Sequence, residues 1–223
     1  MPAPFHEHAI AETWFNAVRN AERFVYIEDQ YFRVPMLHEA LARRMDERLD
    51  LKLVVVTKAV GKLDPGCAQT RAAHAFFAQR YPERFQYLTL KTFDPVAGRH
   101  AGYVPIDVHA KMLVVDDVFM SVGSANKNNR GIVYEYELNA AVHDRAFVTA
   151  SRRRMLKSLD PSMPETDDAS VWFAHIQRAA KDNERRMKAN QDPDRAIELP
   201  SGFFYPLGVP SGCAYPNVGP DAT

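Results

Sequence analysis

Leu51–Thr57, LKLVVVT, is an apolar run too short for a core helix and suited to a strand buried on both faces. The stretch before it has helical period. From Met36 to Leu49 the apolar residues Met36, Leu37, Ala40, Leu41 and Met45 form one stripe, and Pro35 stands where a helix can start. Ahead of that, RFVYIEDQYF (Arg23–Phe32) reads as a strand running into acidic and amide groups, so its end is expected at a site-facing edge. Strand, helix and strand in this order commit the chain to a layered α/β arrangement.

The alternation continues on both sides. Ala9–Asn20 carries Ile10, Trp14, Phe15 and Val18 at helical spacing. GKLDPG breaks the pattern after LKLVVVT, a helix follows through Ala72, Ala73, Phe76 and Phe77 to about Tyr81–Pro82, and FQYLTLKTF (Phe85–Phe93) is a third strand. Beyond the loop DPVAGRHAGYVP lie VHAKMLVVDDVFMSVGSAN (Val108–Asn126), read as two paired strands, a loop KNNRGIVYEY, a strand ELNAAVHD and a helix from about Ala146 to Leu159. The expected fold class is α/β, a layered mixed β-sheet flanked by helices. Residues 1–160 form its main unit. DPSMPETDD is a turn-rich linker, and 161–223 add a helix over Ala169–Lys188 with Trp172 and Ile176 as core. A Pro/Gly-rich strap follows, whose Phe203, Phe204, Tyr205 and Tyr215 argue for packing on the body.

Composition narrows the partners. Lys plus Arg is 28 and Asp plus Glu is 28, so no global basic field draws the chain to nucleic acid, and anion binding must be local. Cys67 and Cys213 match neither a disulfide framework nor a metal spacing, which points to a reducing compartment. MPAPFHEHAIAETW has no basic stretch followed by an apolar one, and no apolar run approaches the ~18 residues of a membrane span. The chain thus reads as cytoplasmic or exported without a cleaved signal. His6 and His8 without a third ligand are a weak metal signal, so neither metal nor cofactor is expected. SRRRMLK and KDNERRMK read as solvated helix faces.

The chemistry lies in Val108–Asn126. By strand parity His109, Lys111, Leu113 and Val115 share one face, and Asp116 faces the other way. Asp116–Asp117 reads as a turn, after which the returning strand brings Ser124 and Asn126 to the same sheet end, with Gly123 where something approaches the backbone. An imidazole, an ammonium, a hydroxyl and a carboxamide at one edge suit phosphoryl transfer, which needs positioning and donors aimed at the equatorial oxygens.

The spacing His109-x-Lys111-x4-Asp116-x6-Gly123-Ser124-x-Asn126 resembles the signature of the phospholipase D superfamily, called HKD. Six specified positions arise by accident in on the order of one chain of this length in a few hundred thousand. VYIEDQYF (Val25–Phe32) is similar to the segment IYIENQYF that precedes the second of two such motifs in phospholipases D, with Asp29 in place of Asn. Glu137 matches the glutamate that follows Gly-Ser-x-Asn in the family. The resemblance covers about Ala21 to Asp144 and makes 1–160 a phospholipase D-like half-domain.

It implies hydrolysis or transfer at a glycerophospholipid phosphodiester at a membrane surface, through a phosphohistidine. One histidine attacks phosphorus while a second protonates the leaving alcohol, because one imidazole cannot be both base and acid in the same step. None of the other histidines, among eight in all, has a lysine two residues on. The partner is therefore a second HKD-bearing subunit or a missing N-terminal half, and in the second case His109 is the general acid. Lys111, Asp116 and Glu137 complete the expected catalytic set, Glu137 holding the far ring nitrogen of His109. Lys111, Ser124 and Asn126 are expected to bind the phosphate, with Glu28 and Gln30 in the substrate pocket. Two rival readings are a superfamily nuclease, against which the zero net charge counts, and a catalytically incomplete half-domain.

Overall fold

The computed structural model describes residues 8–98 and 102–216. β1 (Phe24–Asp29), β2 (Lys52–Val56) and β3 (Phe85–Phe93) pair in parallel, linked by α2 (Pro35–Glu47) and α3 (Cys67–Arg80). The apolar run LKLVVVT supplies β2, buried between β1 and β3. β5 (Lys111–Val115) joins the other edge of β1 antiparallel, and β6 (Phe119–Gly123) and β7 (Asn139–Val142) follow antiparallel. With β4 (Tyr103–Pro105) and β8 (Phe204–Pro206) both against β3, the sheet has 8 strands and is mixed, as expected.

Alternate residues of the strands feed two cores. Val25, Ile27, Leu53, Val55, Leu113 and Val115 meet Trp14 and Val18 of α1 (Ala9–Arg19), Leu37 and Leu41 of α2 and Phe77 of α3. On the opposite face Tyr26, Val54, Val56 and Val114 meet Val148 and Leu156 of α4 (Arg145–Leu159) and Trp172 and Ile176 of α5 (Ala169–Ala189). Both helices begin at an aspartate cap, Asp144 accepting from Phe147 N and Asp168 from Ser170 N. α5 and Phe204 of the strap thus complete the second core.

The β5–β6 hairpin turns through Asp116 and Asp117, both at positive φ (53° and 60°), the conformation whose twist matches paired strands. The Asp116 side chain ties this turn to the chain entering β1. Its carboxylate accepts from Glu22 N at 2.6 Å, Arg23 N at 2.8 Å and Phe24 N at 2.8 Å, anchoring the start of β1. Asp117 is buried against Arg152 of α4, which donates at 2.6 and 3.0 Å. This end of the hairpin is structural.

Four details depart from the sequence reading. The cysteines pair: Cys67–Cys213 is a disulfide that spans 146 residues and ties the end of the strap to the N-terminus of α3, beside a hydrogen bond from Ala214 N to Lys62 O. A reducing compartment is the wrong inference for this pair, because residues far apart in sequence are brought together by the strap's return along β3. His109 stands ahead of β5 and is exposed, not inside the strand. Glu137 precedes β7 in an irregular stretch, because the strand is only Asn139–Val142. The loop after Asn126 contains a π-helical turn, Arg130–Tyr134.

No described helix is long and apolar enough to cross a membrane. His6 lies outside the described residues, and His8 is exposed ahead of α1.

Candidate active site

The site edge is built by the end of β1, the start of β5 and the end of β6. Asp29 pairs in register with Lys111, Gln30 N donates to Ala110 O, and Met112 faces Val122. Continuing that last register by two residues sets Ser124 level with Ala110, between His109 and Lys111. Lys111 is buried along its stem, and its Nζ donates to His109 O at 2.9 Å, while the His109 ring is left in the open. The backbone therefore brings His109, Lys111, Ser124, Asn126 and Gln30 to one edge.

Their side chains differ in what they have left to offer. Asn126 Oδ1 is buried without a hydrogen-bond partner among the described residues, an orphan that an incoming ligand can satisfy. Ser124 Oγ accepts from Leu138 N at 3.0 Å, so the hydroxyl already braces the chain that leads into β7. Asn139, which follows it, donates to Ser121 Oγ and accepts from Ala125 N. A Cβ on Gly123 would lie 2.2 Å from Leu138 O, so this close approach requires glycine.

Glu137 is partly buried, and no hydrogen bond links it to His109 among the described residues. Glu28 stands two residues before Gln30, inside β1 rather than at its end. By parity it lies on the opposite face of β1 from Asp29, paired with Met112, and it accepts from Tyr26 Oη at 2.9 Å. Burial raises its carboxyl above the ordinary range, against the lowering effect of the Tyr26 hydroxyl.

Beneath the edge lies a pair that the sequence reading overlooked. Asp29 and Lys127 are both fully buried, with Nζ donating to Oδ2 at 3.0 Å. The same carboxylate accepts from Tyr31 N at 2.9 Å and Lys127 N at 3.2 Å, and Lys127 Nζ stands 4.4 Å from the centre of the Trp14 ring. Lys127 O accepts from Arg33 N. The pair thus stitches the loop after β1 to the loop after β6. Burial raises the Asp29 carboxyl and lowers the Lys127 ammonium, each opposed by the other's charge, and Lys111 lowers Lys127 further. The available signal was the Asp29 departure from the family's Asn, together with a lysine directly after Asn126.

Next to the edge opens a cavity of about 390 Å³, lined by Gln30 and Asn126 together with Tyr31, Arg33, Lys58, Asp64, Asn128, Arg130 and Glu135. Arg33 is buried, donating to Asp64 at 2.9 Å and to Thr70 Oγ1 at 3.1 Å. Tyr31 lies within 4.5 Å of the Arg33 guanidinium and 4.9 Å of Lys58 Nζ, measured from its ring centre. The Asp64 carboxyl would be raised by burial, yet Arg33, Gly66 N and Lys58 together hold it below its usual range. Among the described residues no cluster of three His, Cys, Asp or Glu side chains is gathered as a metal site requires.

Comparison with known proteins gives these features a context. Residues 15–158 match the family described as "Cardiolipin synthase, PLD-like domain". Phospholipase D zeta 2 of Arabidopsis thaliana is 24% identical over 215 residues, covering 76% of this chain and 20% of its own length, so the chain spans one fifth of that relative. NucT from Helicobacter pylori superposes with a TM-score of 0.52 at 16% identity, over 70% of this chain and 91% of that one. Phosphatidylserine synthase of Haemophilus influenzae Rd KW20 gives 0.52 at 14% identity, over 90% of this chain and 45% of that one.

Proposed function

Since the chain belongs to the family of phospholipase D-like domains, whose members are phosphodiesterases, we propose that it supplies half of an active site that cleaves glycerophospholipid phosphodiesters. The observation that carries this reading is the single edge at which exposed His109, buried Lys111 and the orphaned Oδ1 of Asn126 come together. Lys111 neutralises charge on the equatorial oxygens, and Asn126 orients them, turning its amide to donate. His109 either attacks phosphorus, forming a phosphohistidine as the P–O bond to the alcohol breaks and later yielding the phosphoryl group to water, or protonates the departing alcohol oxygen; the other role falls to a second imidazole from another HKD motif, in a second subunit or an N-terminal half. Names of similar proteins support the lipid assignment, two of them being a phospholipase D and a phosphatidylserine synthase. The protein then works peripherally at a membrane surface.

Asp116 acts at a distance by holding β1 and the hairpin. Ser124 braces Leu138, which fixes the approach of Glu137 to the edge. Closure against the partner motif is expected to bring Glu137 to the His109 ring. Glu137→Gln then lowers turnover about 10-fold or more, as loss of an imidazole-orienting carboxylate does; steady-state assay with unchanged turnover would contradict this role.

The test is choline release from phosphatidylcholine vesicles beside cleavage of plasmid DNA, each with His109→Ala. Lipid hydrolysis abolished by the substitution is the expected result. DNA cleavage abolished by it would replace the lipid reading with a nuclease, and inertness toward both substrates, with a second motif supplied, would leave an incomplete half-domain.

A further inference from the structure

We propose that the cavity beside the phosphate edge is a second anion subsite, which takes a carboxylate or phosphate carried on the alcohol side of the phosphodiester. This deepens the reading of His109, Lys111 and Asn126 as a phosphate cradle and rests on it. Gln30 and Asn126 belong to both places, so a ligand seated on the cradle extends directly into the cavity.

Three cations stand in the wall, Arg33, Lys58 and Arg130. Lys58 Nζ lies 3.4 Å from Asp64 Oδ2, longer than a good charge-assisted bond, and an ammonium has three donors, so this pairing does not exhaust it. Among the described residues Arg130 is engaged through Nη2 with Glu135, and both side chains are at least a third exposed, so that pair yields readily to a competing anion. The acidic groups are already committed. Asp64 holds the buried Arg33 and accepts from Gly66 N at 2.8 Å, and Glu135 holds Arg130. Three cations (Arg33, Lys58, Arg130) against two carboxylates (Asp64, Glu135) leave one positive charge, in a chain whose overall charge is zero. That local excess sets a preference which the whole-molecule field cannot.

The loop that presents Lys58 and Asp64 is built to hold its place. The Cys67–Cys213 disulfide and the Ala214 N to Lys62 O bond pin it to the strap. From below it is locked by Arg33, which packs so closely that a Cβ on Gly66 would fall 2.0 Å from Arg33 Nη1. A preorganised cation needs no ordering when the ligand arrives, which favours binding.

The matched probes are O-phosphoserine and phosphoethanolamine, which differ only by the carboxylate, titrated calorimetrically into the full, disulfide-intact chain. Thymidine 3′,5′-bisphosphate and thymidine 5′-monophosphate form the nucleotide pair. O-Phosphoserine is expected to bind about tenfold tighter than phosphoethanolamine, and the ratio to fall to about two or less in Lys58→Met. Arg130→Gln lowers the same ratio and serves as the second variant should Lys58→Met unfold. Equal affinities, or a preference that survives both substitutions, would overturn the subsite while leaving the cradle standing. A larger ratio for the nucleotide pair supports the subsite but assigns its anion to a neighbouring nucleotide phosphate. Binding of none of the four overturns the cradle, and this inference with it.

Discussion

Asp29 and Lys127 show how much of the site depends on groups that no substrate touches. Each is buried, and the pair is tolerable only because Asp29 gathers three donors. Lys127→Met leaves that carboxylate uncompensated and is expected to cost about 3–5 kcal/mol of stability. Asp29→Asn with Lys127→Met removes both charges and should recover most of the loss; chemical denaturation of the wild type and these two variants measures this. His38 makes a second prediction. Its ring packs on Phe32 and Phe77, and burial depresses its pKa from 6.5 to about 4, opposed by a hydrogen bond to the Phe32 backbone. The unfolded chain therefore takes up the proton first. Stability from this group is whole above pH 6.5 and declines as pH falls toward 4, by roughly 3 kcal/mol. His38→Phe should flatten that part of the curve of melting temperature against pH, and an unchanged slope would contradict the assignment.

At the scale of elements, strands and helices with a full period were legible. β3 runs over Phe85–Phe93 as its apolar pattern indicates, and α5 covers Ala169–Ala189 with Trp172 and Ile176 buried. What escaped was short or irregular. β4 and β8 have 3 residues each, fewer than any alternation can reveal, and they exist because β3 outruns β2 and leaves an edge to cover. Within the site, the direction of Lys111 was readable because it lies in β5, where strand geometry fixes it. The position of Glu137 was not, because the π-helical turn at Arg130–Tyr134 resets the chain before β7. The disulfide was equally hidden, since neither cysteine has a local signature. It closes a long loop, so reduction, or Cys67→Ala with Cys213→Ala, is expected to destabilise the chain by about 2–5 kcal/mol. Thermal melting followed by circular dichroism checks this: a lower midpoint with unchanged helix content is expected, and an unmoved midpoint would contradict a clamping role for the bond.

As a whole molecule the chain carries one set of HKD residues and an open edge around them. It spans 45% of the phosphatidylserine synthase that it resembles in fold and 20% of the plant phospholipase D, and under the proposed mechanism its activity depends on what completes the edge. Two imidazoles, one unprotonated and one protonated, cannot come from His109 alone. The central claim is that hydrolysis belongs to a species holding two His-x-Lys motifs. It is tested most directly by measuring choline release and molar mass together across a dilution series, for the wild type and for His109→Ala. Activity that falls away with the two-motif species, and that drops by about 1,000-fold in His109→Ala, is the predicted result. A monomer that hydrolyses at full rate, or a His109→Ala protein that keeps its turnover, would contradict it.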